Sequence, residues 1–175
     1  MKKLLYLTAI LMIAACDPLD TSLMEGETEA YVPVYVSTPD VRSIAVEPAK
    51  AVEQAGKIYV YGNYIFQNDQ YKGIHIIDNS IRTAPRKIAF IRIPLSTEVA
   101  VKGNHLYTNN HNDLVVFNLS TIAAPQLVKR VENVFPIVNQ QYPPFSNIFF
   151  ECVDPSKGVV VRWELKRIQT PNCKR

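Results

Sequence analysis

The sequence predicts an all-β fold of three propeller-like antiparallel β-meander repeats, a short or incomplete β-propeller, following a signal peptide and a flexible tether. Three observations predict it. Short runs of β-branched and aromatic residues recur, each behind a polar turn, as the returning strand of a hairpin does. The runs recur at about forty residues, the length of a several-stranded blade. Nine tyrosines and seven phenylalanines against six glycines, most of them inside these runs, suit packed strands.

In the first repeat, Val60-Tyr61-Gly62-Asn63-Tyr64-Ile65-Phe66 leads, residues 68–73 turn, and Ile74-His75-Ile76-Ile77-Asp78-Asn79-Ser80 returns. In the second, Val101-Lys102-Gly103-Asn104-His105-Leu106-Tyr107 takes the leading place, and the turn at 109–113 is one residue shorter. Leu114-Val115-Val116-Phe117-Asn118-Leu119-Ser120 then returns. Ala84-Pro85 and Ala124-Pro125 keep the same phase, and each introduces a further apolar run, so a unit holds at least three strands. The third unit is incomplete: Ser146-Asn147-Ile148-Phe149-Phe150 leads, residues 154–158 turn, and Val159-Val160-Val161-Arg162-Trp163 returns. The units run over about 57–97, 98–140 and 141–175, within a domain from 56 to 175. Closed propellers use about four to eight blades. Three units therefore leave strand edges that residues 31–36, the tail or a partner must cover.

These residues resemble the LVIVD-repeat proteins, whose pattern is an apolar run ending in Asp, preceded by Gly and followed by Ser and Pro. Gly73-Ile74-His75-Ile76-Ile77-Asp78 with Ser80 and Pro85 fits it. The second copy has Asp113 for the Gly and Asn118 for the Asp, and the third keeps only Gly158 and the valines. The resemblance spans roughly residues 56–165. It implies a propeller-like fold on bacterial secreted or surface proteins of mostly unassigned function, and it carries no catalytic residues.

Ahead of the repeats, residues 1–15 read as a lipoprotein signal peptide. Lys2 and Lys3 precede an apolar run at 4–13, and Ala14 and Ala15 lead into Cys16. Such a run is too short for a bilayer, which needs roughly 20 residues. An ordinary signal peptide and a core helix are the alternatives. On the lipoprotein reading Cys16 is acylated, and acyl chains anchor a domain at about 0.8 kcal/mol per buried methylene without a spanning helix. Residues 16–30, acidic and without Lys or Arg, read as a tether. Residues 31–55 are a lead-in: Tyr31-Val32-Pro33-Val34-Tyr35-Val36 alternates as an edge strand, and residues 45–55 read as an irregular segment packing on the first blade.

Charge divides the chain. Up to residue 56 the part after the signal peptide holds two basic and eight acidic side chains; from Lys57 onward there are 15 basic and eight acidic. The basic half suits anionic head groups or glycans, or is simply a mixed solvated surface. Nucleic acid is excluded as a partner by export. With Cys16 acylated, Cys152 and Cys173 remain as a pair in an oxidising compartment, bonded or as two free thiols. A bond would pin the tail where a last strand is missing.

Few residues offer chemistry. His75 and His105 occupy packing positions, and His111 lies in an Asn-rich turn that matches no calcium loop. Asp78 and Asn118 end equivalent strands and should cap the following turns. Tyr59, Tyr61 and His75 are the candidate ligand face, a stacking platform if they are not core; alternation places Tyr59 and Tyr61 together and Tyr64 opposite. Neither a hydrolase elbow, a zinc-protease helix nor a phosphate loop occurs. No catalytic residue, metal ligand or cofactor is assigned.

The expectation is a non-enzymatic, lipid-anchored module of the bacterial cell envelope, at the periplasmic or surface face of the outer membrane. It would bind or scaffold an envelope protein or glycan. Two alternatives stand beside it: a metal-dependent propeller-type hydrolase, and a structural component that self-associates by strand edges. The residues leave open the ligand, the leaflet and whether the array is closed.

Overall fold

The computed structural model describes residues 26–135 and 142–175, so the signal peptide, Cys16, tether residues 16–25 and the junction near 140 lie outside the described residues. The described chain is mostly strand. Three sheets form, each with antiparallel pairing, and none closes into a barrel.

The first blade is a meander of β3 (Ala55–Tyr61), β4 (Tyr64–Asp69), β5 (Gly73–Asp78) and β6 (Arg86–Arg92). A short β2 (Ala45–Glu47) joins it beside β6. The second is a meander of β7 (Ala100–Lys102), β8 (His105–Asn110), β9 (Asp113–Asn118) and β10 (Gln126–Val131). The two are copies down to their irregularities. Pairing of β5 with β6 slips between Ile76 and Ile77, and pairing of β9 with β10 slips at Val116 and Phe117, leaving Ile88 and Val128 as the extra residues. Ile88 and Val128 follow Ala84-Pro85 and Ala124-Pro125 at the same distance, a match that shared composition alone would not produce.

The blades pack face to face. Phe66, Ile74, Ile76 and Ile91 of the first meet Leu106, Val115 and Phe117 of the second in one core, every one of them at most 1% exposed. Removing these side chains from water stabilises the pair by about 25 cal/mol per Å² of apolar area buried. Polar bonds fix its edges. Tyr59 Oη donates to the Val101 carbonyl at 2.9 Å, and Lys57 pairs with Glu98. The linker between the blades is held by both: Asn68 Nδ2 donates to the Ser96 carbonyl at 3.4 Å, and Asn109 Oδ1 accepts from the N–H groups of Thr97 and Glu98 at 2.8 and 2.9 Å.

The third sheet is wired differently from the expected hairpin. It is ordered β12 (Val159–Gln169), β1 (Glu27–Val36), β11 (Phe149–Phe150), β13 (Cys173–Lys174). Thus β1 lies between the two strands that the sequence pattern makes neighbours, antiparallel to β12 along its whole length and parallel to β11 at Tyr31 and Phe150. The strand starts at Glu27, within the segment read as tether, because Ala30 fills a buried position at 1% exposure. Pro33 fits there for a local reason. The Tyr31 carbonyl accepts from Glu151, so residue 33 turns its donor-less nitrogen to the same side, beyond the short reach of β11. Phe150, 3% exposed, packs edge-on to Trp163 with ring centres 5.6 Å apart. Cys152 and Cys173 are joined by a disulfide, with Cα atoms 5.3 Å apart.

After β1, Ser37 caps the short helix α1 (Thr38–Arg42), its Oγ accepting from the Asp40 N–H at 3.3 Å. Residues 48–54 then cross the first blade as irregular chain. Among the described residues no helix is long and apolar enough to cross a membrane.

Candidate functional site

A cleft of about 210 Å³ opens where α1, the β8–β9 turn and the start of β12 converge, lined by Thr38, Arg42, His111, Asn112, Asn133 and Val159 among others. The turn that builds it is short, and His111 takes a φ of 56°, a conformation asparagine and histidine tolerate better than branched residues.

Below the cleft lies a charge cluster. Asp113, 1% exposed, receives Arg130 Nη1 at 2.7 Å and the Asn133 N–H at 3.1 Å, and lies 3.3 Å from Arg42 Nη2. Arg130 also donates to Asn110 Oδ1 at 2.8 Å and to the Arg42 carbonyl at 3.2 Å. Asn110 Nδ2 donates to the carbonyls of Val41 and Pro94 at 2.9 and 2.7 Å. The cluster therefore ties the helix, the linker and the second blade together. A carboxylate held by two guanidinium groups is poorly placed to act as a general base. Arg42, 39% exposed and also paired with Glu132, presents part of its planar fork to solvent, in a cleft that Asn112 also lines. Chemically the cleft sets the polar groups of Arg42, His111 and Asn112 beside the apolar side chains of Val41 and Val159.

The predicted ligand face does not assemble. Residues paired across strands share a face, and Tyr59 is paired with Phe66 and, through it, Ile76, whereas His75 is paired with Gln67 and Phe90. Tyr59 and His75 thus lie on opposite sides of the sheet. Tyr59 is half-buried against the second blade and Tyr61 is exposed at the rim. Tyr64 is paired with Tyr61 and shares its face, contrary to the expected alternation: Gly62 and Asn63 form a two-residue turn, which sets its flanking residues side by side.

His75 is fully buried, as a packing position requires. Its Nε2 donates to Asp69 Oδ2 at 3.1 Å, its ring stands 4.6 Å from Phe90, and Nδ1 has no hydrogen-bond partner among the described residues. Asp69 also accepts from the N–H groups of Glu53 and Gln54 at 2.9 and 2.8 Å. Burial raises the pKa of its carboxyl, but these two N–H groups and the imidazole outweigh it and hold the group below its ordinary 3.8. The pair is sealed under residues 48–54, with Lys50 Nζ 3.9 Å above the Phe90 ring. It clamps the lead-in to the blade.

His105 is half-buried, and His111 Nδ1 lies 3.0 Å from Asn112 Oδ1 in the turn. Asp78 and Asn118 each accept from the N–H two residues on, at 2.9 and 2.7 Å. Sequence reasoning missed Asp113, Arg130 and Arg42 as a unit. The available signal was Asp113 standing where the first repeat has Gly73.

Two stacked four-strand meanders with matching bulges define the class of protein as a propeller-type repeat protein. The LVIVD repeat pattern matches residues 54–88 and again 96–133, one match per blade, so the chain carries two LVIVD repeats. No curated protein and no solved structure matches the chain.

Proposed function

We propose that this protein is a non-enzymatic binding module held by a lipid on Cys16 to the bacterial cell envelope, at the outer membrane. It presents the cleft beside Arg42 and Asn112 to a polar group of an envelope glycan or protein. The observation that carries the anchoring is the sequence of residues 1–16: two lysines, a short apolar run, and two alanines directly before a cysteine. The Cys152–Cys173 bond supports an oxidising compartment, where such bonds persist. The cleft supports recognition over turnover, because its buried carboxylate is already neutralised by two arginines.

A metal-dependent hydrolase is the less favoured reading: among the described residues no three His, Cys, Asp or Glu side chains converge as a metal site needs.

Two measurements test the proposal. Mass spectrometry of the protein purified from bacterial membranes should find an acylated N-terminal cysteine at position 16, and Cys16→Ser should release the chain from the membrane fraction. An unmodified N-terminus would sink the anchoring. For the cleft, envelope oligosaccharides and peptides screened against the full chain should give saturable binding that Arg42→Ala or Asn112→Ala abolishes. Binding indifferent to both substitutions would remove the cleft from the account.

A further inference from the structure

We propose that the outer face of the first blade docks a second copy of this chain, whose second blade stacks on it head to tail. The contact is a face, not a strand edge.

The internal contact between the blades supplies the pattern. On the second blade, the side facing the first is made by Val99, Val101, Leu106 and Phe117, exposed by 8%, 4%, 0% and 1%. The equivalent positions of the first blade, one repeat earlier, are Ile58, Val60, Ile65 and Ile77. They share one side of their sheet, since Val60 is paired with Ile65 and Ile65 with Ile77, and Ile58 sits at the next same-side position from Val60. All four are large and apolar, yet Ile58 and Val60 are 60% and 61% exposed, and Ile65 and Ile77 only half-buried. The first blade therefore carries the residues of a blade-to-blade contact without a blade against them.

The complementary side is at the other end of the pair. Phe66, Ile74, Ile76 and Ile91 are the residues with which the first blade meets the second, each at 0% exposure. Their equivalents are Tyr107, Leu114, Val116 and Val131, on the side of the second blade turned away from the first. Val116 is 7% exposed, Tyr107 and Leu114 are half-buried, and Val131 is 37% exposed. One copy thus offers the two halves of the same contact on opposite faces, the condition for a heterologous interface that closes into a ring or grows as a stack.

Charge and the lead-in agree with a second copy as the occupant. Lys57 and Glu98 stand at equivalent positions of the two repeats, and pair across the internal contact with both side chains more than half exposed. Repeating that contact between copies sets Glu98 of one beside Lys57 of the next, so opposite charges alternate along the assembly. At the top of the docking face, Glu53 and Gln54 occupy the positions that Pro94 and Leu95 hold in the linker between the blades. That part of the contact is already built, clamped by Asp69.

Sedimentation equilibrium of the full chain in density-matched detergent tests this. The expected result is reversible association in the micromolar range, weakened at least about tenfold by Val60→Asp, as befits a charge buried at an interface core. Lys57→Glu and Glu98→Lys should each weaken it, and the double swap should restore it. Circular dichroism reports whether the variants fold, and Ile58→Asp serves if Val60→Asp does not. The proposal is overturned by a wild type that stays monomeric throughout that range, or by association that these substitutions leave unchanged, which would place the occupied surface elsewhere or make the partner a different protein.

Discussion

The two blades share a backbone and a core but place their buried polar groups at different equivalent positions. In the first, Gly73 lies against the Phe90 ring, and the charged pair is Asp69 with His75. In the second, the positions of Gly73 and Phe90 are Asp113 and Arg130, which form the ion pair, while those of Asp69 and His75 are Asn110 and Val115. Each blade therefore holds one buried carboxylate near its top turn, served by a different partner and securing a different segment: the lead-in in the first, the helix and linker in the second. The lesson is that the repeat keeps its shape and the need for a polar clamp, not the residues that make it. A buried carboxylate without partners is costly, so the acid and its partner must change together.

The largest effect should come from breaking the second clamp. Asp113→Ala leaves Arg130 without its carboxylate partner, and removal of one member of a buried ion pair typically costs about 3–5 kcal/mol. Urea unfolding should show the midpoint drop with an unchanged slope. A loss below about 1 kcal/mol, the range of exposed pairs, would mean the cluster is solvated and the comparison overstated.

Gly73→Ala probes the same position in the first blade. Gly73 has a φ of 155°, and a Cβ there would stand 2.0 Å from the Ile91 carbonyl oxygen and 2.7 Å from the Phe90 ring. Backbone must move, so a loss of at least about 2 kcal/mol is expected. The second blade carries a side chain at this position because its turn is one residue shorter and Arg130 replaces the ring.

The first clamp makes a prediction about pH. The folded Asp69 carboxyl is held below 3.8, so its contribution to stability is fully present above the unfolded value and is lost as pH falls through the folded one. Wild type should therefore lose stability on acidification below about pH 4, and Asp69→Asn should lose less over that window while starting about 1–3 kcal/mol lower at neutral pH, from the displaced N–H bonds of Glu53 and Gln54. Parallel acid titrations of the two proteins, followed by tryptophan fluorescence and hydrogen exchange at Gln54, distinguish the cases. Identical slopes would show that Asp69 does not carry the acid sensitivity.

How much of this was legible in the sequence follows from how local each signal is. The meanders were legible because Gly62-Asn63 with Gly103-Asn104, and Ala84-Pro85 with Ala124-Pro125, mark turns within a few residues of the strands they join. The burial of His75 was legible because Val115 stands in its place. The wiring of the third sheet was not: β1 pairs with β12 from the opposite end of the chain, and alternation specifies a strand's faces but not its neighbours. Nor was the Asp113–Arg130 pair, since two strands must be set in register, with a bulge between, before residues 113 and 130 meet.

The smallest predicted effect tests the most local of these signals. Asn118 Oδ1 accepts from the Ser120 N–H at 2.7 Å, and Asn104 Nδ2 reaches Ser120 Oγ at 2.7 Å, so the strand's end and the preceding turn are stitched together. In the first blade Asp78 makes the corresponding bond to Ser80, with Arg86 beside it, and there its carboxyl is held below the ordinary range chiefly by the serine hydroxyl and N–H. Asn118→Ala removes this turn bond and a longer one from Asn104 Nδ2 at 3.4 Å, and should cost about 0.5–1.5 kcal/mol. Asn118→Asp should be tolerated, because the first blade uses that residue at the equivalent place. A much larger loss from Asn118→Asp would show that the repeats differ in their turns as well as in their clamps, and that the asparagine's amide has a partner its carboxylate counterpart cannot replace.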